Sequence, residues 1–301
     1  MTILITGATG LVGSKLLAHL QARGHDVRFL TTSRDKIGAV PLAKGFYWNP
    51  EKGELDPAAL ADVETIVHLA GATIAKRWTP SYKDEIIRSR VSSAQLLYAE
   101  ASRRGNTLKH FISASGIGIY PDNFSEHYDE SFTGKPRSFP GRVVREWEKS
   151  ADAFALLGLP VAKVRTGLVL ASNGGALPQL VKPIKMGLGA PLGDGRQIVS
   201  WIHLDDLIKI YTLIIEKQLT GIYNAVAPNP VSQAQLTREI AKILGKPLWL
   251  PKVPPLLLKI ALGEMSTLML EGQYVESRRI ASKGMQFAYP EINGALRDLL
   301  A

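Results

Sequence analysis

A short β-branched run, Thr2-Ile3-Leu4-Ile5-Thr6, breaks directly into Gly7-Ala8-Thr9-Gly10-Leu11-Val12-Gly13, and this junction constrains the fold more than any other part of the chain. Its glycines recur every three residues, and apolar positions at helical spacing (Leu11, Val12, Leu16, Leu17, Leu20) continue to Ala22. The unit reads as strand, glycine turn and helix. Gly7 permits the tight turn, Gly10 lets a ligand approach the backbone, and Gly13 lets helix and strand pack closely. The unpaired N–H groups and positive dipole end of a helix start favour an anion, so the junction suits a pyrophosphate. The spacing differs from the Gly-x-Gly start of the commoner dinucleotide fingerprint, and a structural turn in an unrelated α/β protein is the competing reading.

The same alternation continues down the chain. Strands are expected at Asp26–Leu30, Glu64–Leu69, His110–Ser113 and Val161–Leu170, with helices at Tyr82–Arg104 and Arg142–Leu157. Strand–helix alternation implies a parallel, doubly wound sheet, so residues 1–170 read as one Rossmann-like α/β unit. After Leu170, glycines crowd into Asn173-Gly174-Gly175, Gly187-Leu188-Gly189 and Gly193-Asp194-Gly195, as loops facing a substrate would. Residues 200–225, with helix Leu204–Gln218 and strand Ile222–Ala225, return to the first unit. Residues 171–199 and 226–301 form a smaller, interleaved carboxy-terminal α/β lobe, with a helix at Ser232–Leu244 and proline-marked helices after Pro251. No internal repeat or low-complexity tract is present.

With 301 residues, 46% hydrophobic and 21% charged, the chain can bury a sizeable core, which excludes disorder and fibrous repeats. The absence of cysteine excludes a disulfide framework, iron–sulfur ligation and a cysteine nucleophile. The longest late apolar stretch, Val253–Leu262, is interrupted by Lys259 and falls short of the about 20 residues that cross a bilayer. A soluble, cytoplasmic protein with no membrane partner is expected. The formal charge of +9 favours a small anionic partner. Basic and acidic residues are interspersed without a run of like charge, which argues against a nucleic-acid face.

The end of the second strand bears on the choice of nicotinamide cofactor. An acid there binds a ribose 2′-hydroxyl, and a nearby Arg accommodates a 2′-phosphate. The chain reads Leu30-Thr31-Thr32-Ser33-Arg34-Asp35-Lys36, with hydroxyls at the strand end and Arg34 in the turn, which favours NADP. Arg34 as ordinary surface charge, or paired with Asp35, is the alternative.

Taken together, the glycine junction, His68-Leu69-Ala70-Gly71-Ala72 and Ser113-Ala114-Ser115 with Tyr120 downstream resemble the short-chain dehydrogenase/reductase superfamily in its extended, nucleotide-sugar-epimerase-like branch. Arg77-Trp78-Thr79, Ser89-Arg90, Arg165-Thr166-Gly167, Ser200-Trp201-Ile202-His203 and Leu270-Glu271-Gly272-Gln273 narrow it to an atypical epimerase-family group. The resemblance covers essentially the whole chain and implies NADP(H) in a Rossmann domain beneath a small carboxy-terminal lobe. It puts Gly7, Thr9, Gly10, Leu11, Val12 and Gly13 on the pyrophosphate, and Leu69, Ala70 and Gly71 beside adenosine and ribose. Thr32 and Arg34 fall near the 2′-phosphate, although relatives carry their Arg closer to the position of Thr32. Glu85 and Arg90 approach the cofactor in this reading, and Val169 lies near the nicotinamide. Arg90 reads equally as a helix-surface ion pair, and Trp78 as a packing anchor or a ligand platform.

Superfamily chemistry needs a Tyr that exchanges a proton with the substrate, a Lys four residues later, and a Ser or Thr that orients the substrate oxygen. None of the nine tyrosines is followed by Lys at that distance. At the expected helix start the chain reads Phe139-Pro140-Gly141-Arg142-Val143, so Phe139 and Val143 take the two positions. Ser115 remains at the orienting position, and Tyr120 is the candidate relocated proton donor, assisted by Arg142 or by the cofactor's own charge. The alternative is a loop-capping Ser115 and a Tyr120 that packs by its ring. Asp205 and Asp206, after His203, read as a helix cap and dipole partners. No metal-ligand spacing and no Gly-x-Ser-x-Gly elbow occurs.

Two functions follow. One is an NADP-dependent oxidoreductase or epimerase acting on a nucleotide-sugar-like or other anionic substrate, with Trp78, Arg196 and Trp201 as substrate contacts. The other is a non-catalytic NADP(H)-binding sensor or assembly protein, motivated by Phe139 and Val143. Neither fixes an oligomeric state.

Overall fold

The computed structural model describes residues 1–103 and 107–301, so the expected helix end at Arg104 lies outside the described residues. The strands of the first half are β1 (Thr2–Thr6), β2 (Asp26–Thr31), β3 (Lys44–Asn49), β4 (Glu54–Leu55), β5 (Thr65–His68), β6 (His110–Gly116), β7 (Asn123–Tyr128) and β8 (Val161–Thr166). Those that follow are β9 (Leu168–Ala171), β10 (Gly174–Gly175), β11 (Ile198–Val199), β12 (Trp201–His203), β13 (Gly221–Ala225), β14 (Val231–Ser232) and β15 (Gln273–Val275). The helices that frame them are α1 (Leu11–Ala22), α2 (Pro80–Ser102), α3 (Phe139–Asp152), α4 (Leu177–Lys185), α5 (Leu204–Glu216) and α6 (Gln233–Ile243). Near the carboxy terminus come α7 (Pro255–Leu262), α8 (Thr267–Leu270), α9 (Arg278–Ser282) and α10 (Ile292–Leu300).

Eight strands form the central sheet in the order β13-β8-β6-β5-β1-β2-β3-β4, parallel throughout except for the short antiparallel β3–β4 edge. Apolar runs such as Ile3-Leu4-Ile5 are buried on both faces, as a parallel sheet covered by helices requires. On one face α1 and α5 pack through Leu16, Leu20, Ile210 and Ile214. On the other, Leu97 of α2 and Ala151 of α3 close a core with Phe111 and Phe154, whose rings stack at 3.5 Å. From β1 the chain winds outward through β2 and β3, then crosses back to place β5 on the other side of β1. This reversal is a topological switch point, and it opens a crevice at the carboxyl ends of β1 and β5.

The expected strand Val161–Leu170 divides at Gly167, where β8 stays in the main sheet and β9 leaves for a second one, β10-β9-β12. A Cβ at Gly167 would lie 2.3 Å from the Ser200 carbonyl oxygen, so only glycine allows the two segments to pass this closely. Within residues 200–225, Trp201–His203 pairs with β9 in the second sheet, and α5 and β13 lead back to the main sheet. The second sheet is covered by α4, α6 and α10 through Leu177, Ile184, Leu236, Ile240 and Leu296. Helix α3 begins three residues ahead of the expected Arg142, because Ser138 caps it by accepting from Gly141 N and Pro140 fits its first turn.

Candidate cofactor crevice and adjoining cleft

The first turn of α1 ends the β1 strand at the switch point with no side-chain cap and no acid. Gly7 has φ of +69°, and a Cβ at Gly13 would lie 2.2 Å from the Gly7 carbonyl oxygen, so both positions exclude side chains. The helix start is thereby left as an open cradle of backbone N–H groups from Leu11, Val12 and Gly13, beside Thr9 and Gly10. These groups suit a diphosphate. Across the crevice, Leu69 N and Ala70 N both donate to Thr6 Oγ1 (3.1 and 3.0 Å), which fixes the Leu69–Gly71 loop against β1. His68, fully buried, joins Thr6 Oγ1 (2.8 Å) to Ser93 Oγ (3.1 Å) on α2. Burial pushes its pKa down to about 4.

At the end of β2, Thr32 and Arg34 are exposed, and the Arg34 guanidinium lies 4.0 Å from the centre of the Tyr47 ring. Asp35 forms no ion pair with it among the described residues. Arg34 is thus held at the crevice rim by an aromatic face.

Beyond the crevice lies a cleft of about 330 Å³ at the carboxyl ends of β6 and β8, roofed by residues 267–273. Ser115, Phe139, Val143, Trp78 and Arg90 all line it. Phe139 and Val143, at the two positions of the superfamily's proton-transferring pair, thus line the cleft, and they make that part of the wall apolar. The Trp78 indole meets Phe139 edge-on at 4.8 Å and donates from Nε1 to the Ile74 carbonyl (3.0 Å), so it is both packing anchor and cleft wall.

Beneath Ser115 lies a buried polar network that sequence reasoning did not find. Ser115 Oγ donates to Glu148 Oε1 (2.7 Å), and Arg165 clamps the same carboxylate through Nε (2.8 Å) and Nη2 (2.9 Å). Burial pushes the Glu148 carboxyl up, but the Arg165 hydrogen bonds and charge outweigh it and hold it below the usual carboxylate range. The available signal was Arg165 itself: an Arg inside the buried strand Val161–Thr166 demands a buried acid.

Several expected site residues lie elsewhere. Tyr120 is 1% exposed and does not line the cleft. Its hydroxyl donates to Asn224 Oδ1 (2.7 Å) and accepts from Arg165 Nη1 (3.1 Å), and burial raises its pKa, so in this structure it is bonded within the network and does not face the cleft. Arg142, the expected helper of Tyr120, is exposed beside Phe139 and does not line the cleft. Trp201 is wholly buried with Nε1 donating to the Asn229 carbonyl (3.1 Å), so it belongs to the core of the second sheet. Arg196 pairs with Asp194 (2.8 Å) on the open surface and lies outside the cleft. Glu85 is on the solvent face of α2, whereas Arg90 is buried and lines the cleft. Val169 packs against the main core, and the lining in its place comes from Thr166, Gly167 and Leu168. His203 caps α5 by accepting from Asp205 N (3.1 Å), and buried Asp206 accepts from Ala288 N and Tyr289 N, both at 2.9 Å.

Glu271, part of the Leu270–Gln273 motif, is the only carboxyl among the described residues that line the cleft. Burial, and then the neighbouring Asp122 charge, raise its pKa. No cluster able to hold a metal ion is found among the described residues, and no helix there is long and apolar enough to cross a membrane.

The sequence pattern of the NAD-dependent epimerase/dehydratase family matches residues 3–225, and a second pattern, a domain of unknown function, matches residues 253–299. An epimerase family protein of Staphylococcus aureus is 36% identical over 301 residues, spanning 99% of this chain and 98% of the relative. Among solved structures, a human epimerase family protein crystallised with NADPH superposes with a TM-score of 0.85 at 29% identity, covering 99% of both chains. A nucleoside-diphosphate sugar epimerase from Corynebacterium glutamicum gives a TM-score of 0.80 at 31% identity, covering all of this chain and 58% of that longer one.

Proposed function

Because this chain belongs to the NAD-dependent epimerase/dehydratase family, we propose that it is an NADP(H)-dependent oxidoreductase or epimerase acting on a small anionic substrate in the cleft. One observation carries the reading. The uncapped glycine cradle at the switch point adjoins a cleft at the carboxyl ends of β6 and β8, and Arg90 borders both, lying against Gly71 and lining the cleft.

A nicotinamide dinucleotide, when bound, supplies or accepts a hydride. Gly7 to Gly13 would hold its pyrophosphate, and Leu69–Gly71 would flank the adenosine side. Arg34 would meet a 2′-phosphate: β2 ends in hydroxyls with no carboxylate, and the human relative was crystallised with NADPH. Ser115 spends its proton on Glu148, so its oxygen is left to accept from a substrate hydroxyl and orient it. Glu271 is the one carboxyl among the described residues lining the cleft, and the burial that raises its pKa favours the protonated form, which could deliver a proton.

Calorimetric titration with NADPH and NADH, followed by turnover on a panel of carbonyl and hydroxyl compounds, tests this reading. Preferential NADPH binding and turnover that falls in Glu271→Gln are expected; absence of binding by either nucleotide would overturn it. The second reading, an NADP(H)-binding sensor, is favoured by the apolar Phe139 and Val143 in the cleft wall. Tight NADPH binding with no turnover across the panel would select it.

A further inference from the structure

Single exposed apolar side chains are ordinary on a protein surface, but on the second lobe they gather. Helix α7 has no buried residue and holds to the body through half-buried Leu258 and Leu262. Leu256, Leu257 and Ile260 are 66%, 55% and 68% exposed. By helical geometry they fall within about 100° of one another, so they form one stripe. Trp249, just upstream, is 68% exposed, and Met186 and Leu188, in the turn after α4, are 63% and 53% exposed. These segments are joined. Val253 accepts from Gly193 N and donates to the Pro191 carbonyl, both at 2.9 Å, and Leu248 packs over Gly189, where a Cβ would lie 2.8 Å from its side chain.

The charge on the joined segments has one sign. Residues 177–193 and 245–263 carry Lys182, Lys185, Lys246, Lys252 and Lys259 and no Asp or Glu, and all five lysines are exposed. The acids that bound the segments are already taken: Asp194 pairs with Arg196 (2.8 Å), and Glu264 with Lys83. Apolar side chains set among unopposed lysines fit a partner that is anionic at its surface and hydrocarbon beneath. A second copy seated face to face would set lysines against lysines, and a nucleic acid would leave the apolar stripe without a complement. We propose that this surface docks the protein onto the anionic face of a phospholipid bilayer. Helix α7 lies in the plane of the headgroups with its stripe in the acyl boundary, Trp249 sits at the interface, and the lysines meet the phosphates. Its 8 residues are too few to span a bilayer, so the contact is peripheral, and it replaces the expectation of no membrane partner.

The test is flotation of the full chain with vesicles of phosphatidylcholine alone, or of phosphatidylcholine with about one-third phosphatidylglycerol. Binding should be at least about tenfold tighter to the anionic vesicles and should weaken as salt is raised. Changing Leu256, Leu257 and Ile260 together to Ser should weaken it at least about tenfold. Lys246→Glu, Lys252→Glu and Lys259→Glu combined should weaken it about a hundredfold, at roughly fivefold per lysine. Lys52→Glu, Lys149→Glu and Lys283→Glu combined make the same change in net charge at exposed sites elsewhere and should leave it within about threefold. Every substituted residue is exposed, so circular dichroism of the variants should match wild type. No binding by wild type, or equal binding to both vesicles, overturns the proposal. So does a serine variant that binds as wild type does, or a control variant that loses as much as the Lys246, Lys252 and Lys259 variant, because net charge alone would then attract the protein. A dimer in sedimentation equilibrium that the serine variant dissolves would give the surface to a second copy and also overturn it.

Discussion

Replacing Glu148 with Gln removes one charge from the network under the cleft and changes almost no volume. Arg165, whose side chain is 4% exposed, is then left as a buried cation without its carboxylate, and Ser115 loses a charged acceptor. Breaking one partner of a buried pair in this way costs about 3–5 kcal/mol. At roughly 2 °C per kcal/mol for a chain of this size, melting should fall by about 6–10 °C. Removing both charges, in Glu148→Gln with Arg165→Met, should be less damaging than Glu148→Gln alone, because no unpaired ion remains. The pH dependence has a definite sign. Arg165 holds the folded-state Glu148 pKa below its ordinary value, so this stability is fully present above the unfolded pKa and is lost as pH falls through the folded one. Urea unfolding of wild type and both variants between neutral and acidic pH reads all of these effects. A Glu148→Gln variant within about 1 kcal/mol of wild type, or a double variant worse than the single, would refute the argument that the ion pair holds the cleft floor together.

Gly13→Ala should fold with altered loop packing and lose most NADPH affinity, since its Cβ would enter the Gly7 carbonyl at 2.2 Å and displace the cradle; calorimetry checks this. Arg34→Ala should weaken NADPH binding about tenfold while leaving NADH unchanged, as loss of a single 2′-phosphate contact would; equal losses for both nucleotides would remove Arg34 from that role. The His68 pKa, lowered from 6.5 to about 4, means the unfolded chain takes up a proton there before the native one does. Stability from this group is therefore complete above the unfolded value and declines by roughly 3 kcal/mol as pH falls through the folded one; NMR titration of the His68 ring should show it neutral at pH 5.5. Tyr120→Phe should cost about 1–3 kcal/mol, leaving Asn224 and Arg165 short of a partner, without changing ligand affinity; a specific loss of turnover with stability intact would return Tyr120 to the chemistry.

The part of the fold that was legible is the part built from neighbouring residues. Helix α1 occupies Leu11–Ala22 as its apolar spacing dictates, and β2 extends the expected strand only to Thr31. Strand β3 escaped notice because Lys44-Gly45-Phe46-Tyr47-Trp48-Asn49 has no β-branched residue; its burial rests on Phe46 and Trp48 alone. The cradle was legible for the same local reason, since turn, helix start and close packing all fall within Gly7–Gly13. The cleft was not, because residues from Ile74 to Gln273 meet in it and no spacing encodes that meeting. Tyr120 and Trp201 show why residue type misleads in such a site: each carries a polar tip on an apolar body, and whether that tip meets ligand or protein is decided by distant partners, Asn224 and Asn229. What the structure adds is a division by depth. Phe139 and Val143 make their part of the cleft wall apolar, while Ser115, also on the wall, is tied to Glu148 and through it to Arg165 in the layer below. An apolar wall excludes water and strengthens any charge interaction formed against it. With apolar Phe139 and Val143 at the positions of the proton-transferring pair, Arg90 and Glu271 are left as the ionisable groups among the described residues that line the cleft, so any proton transfer there falls to Glu271.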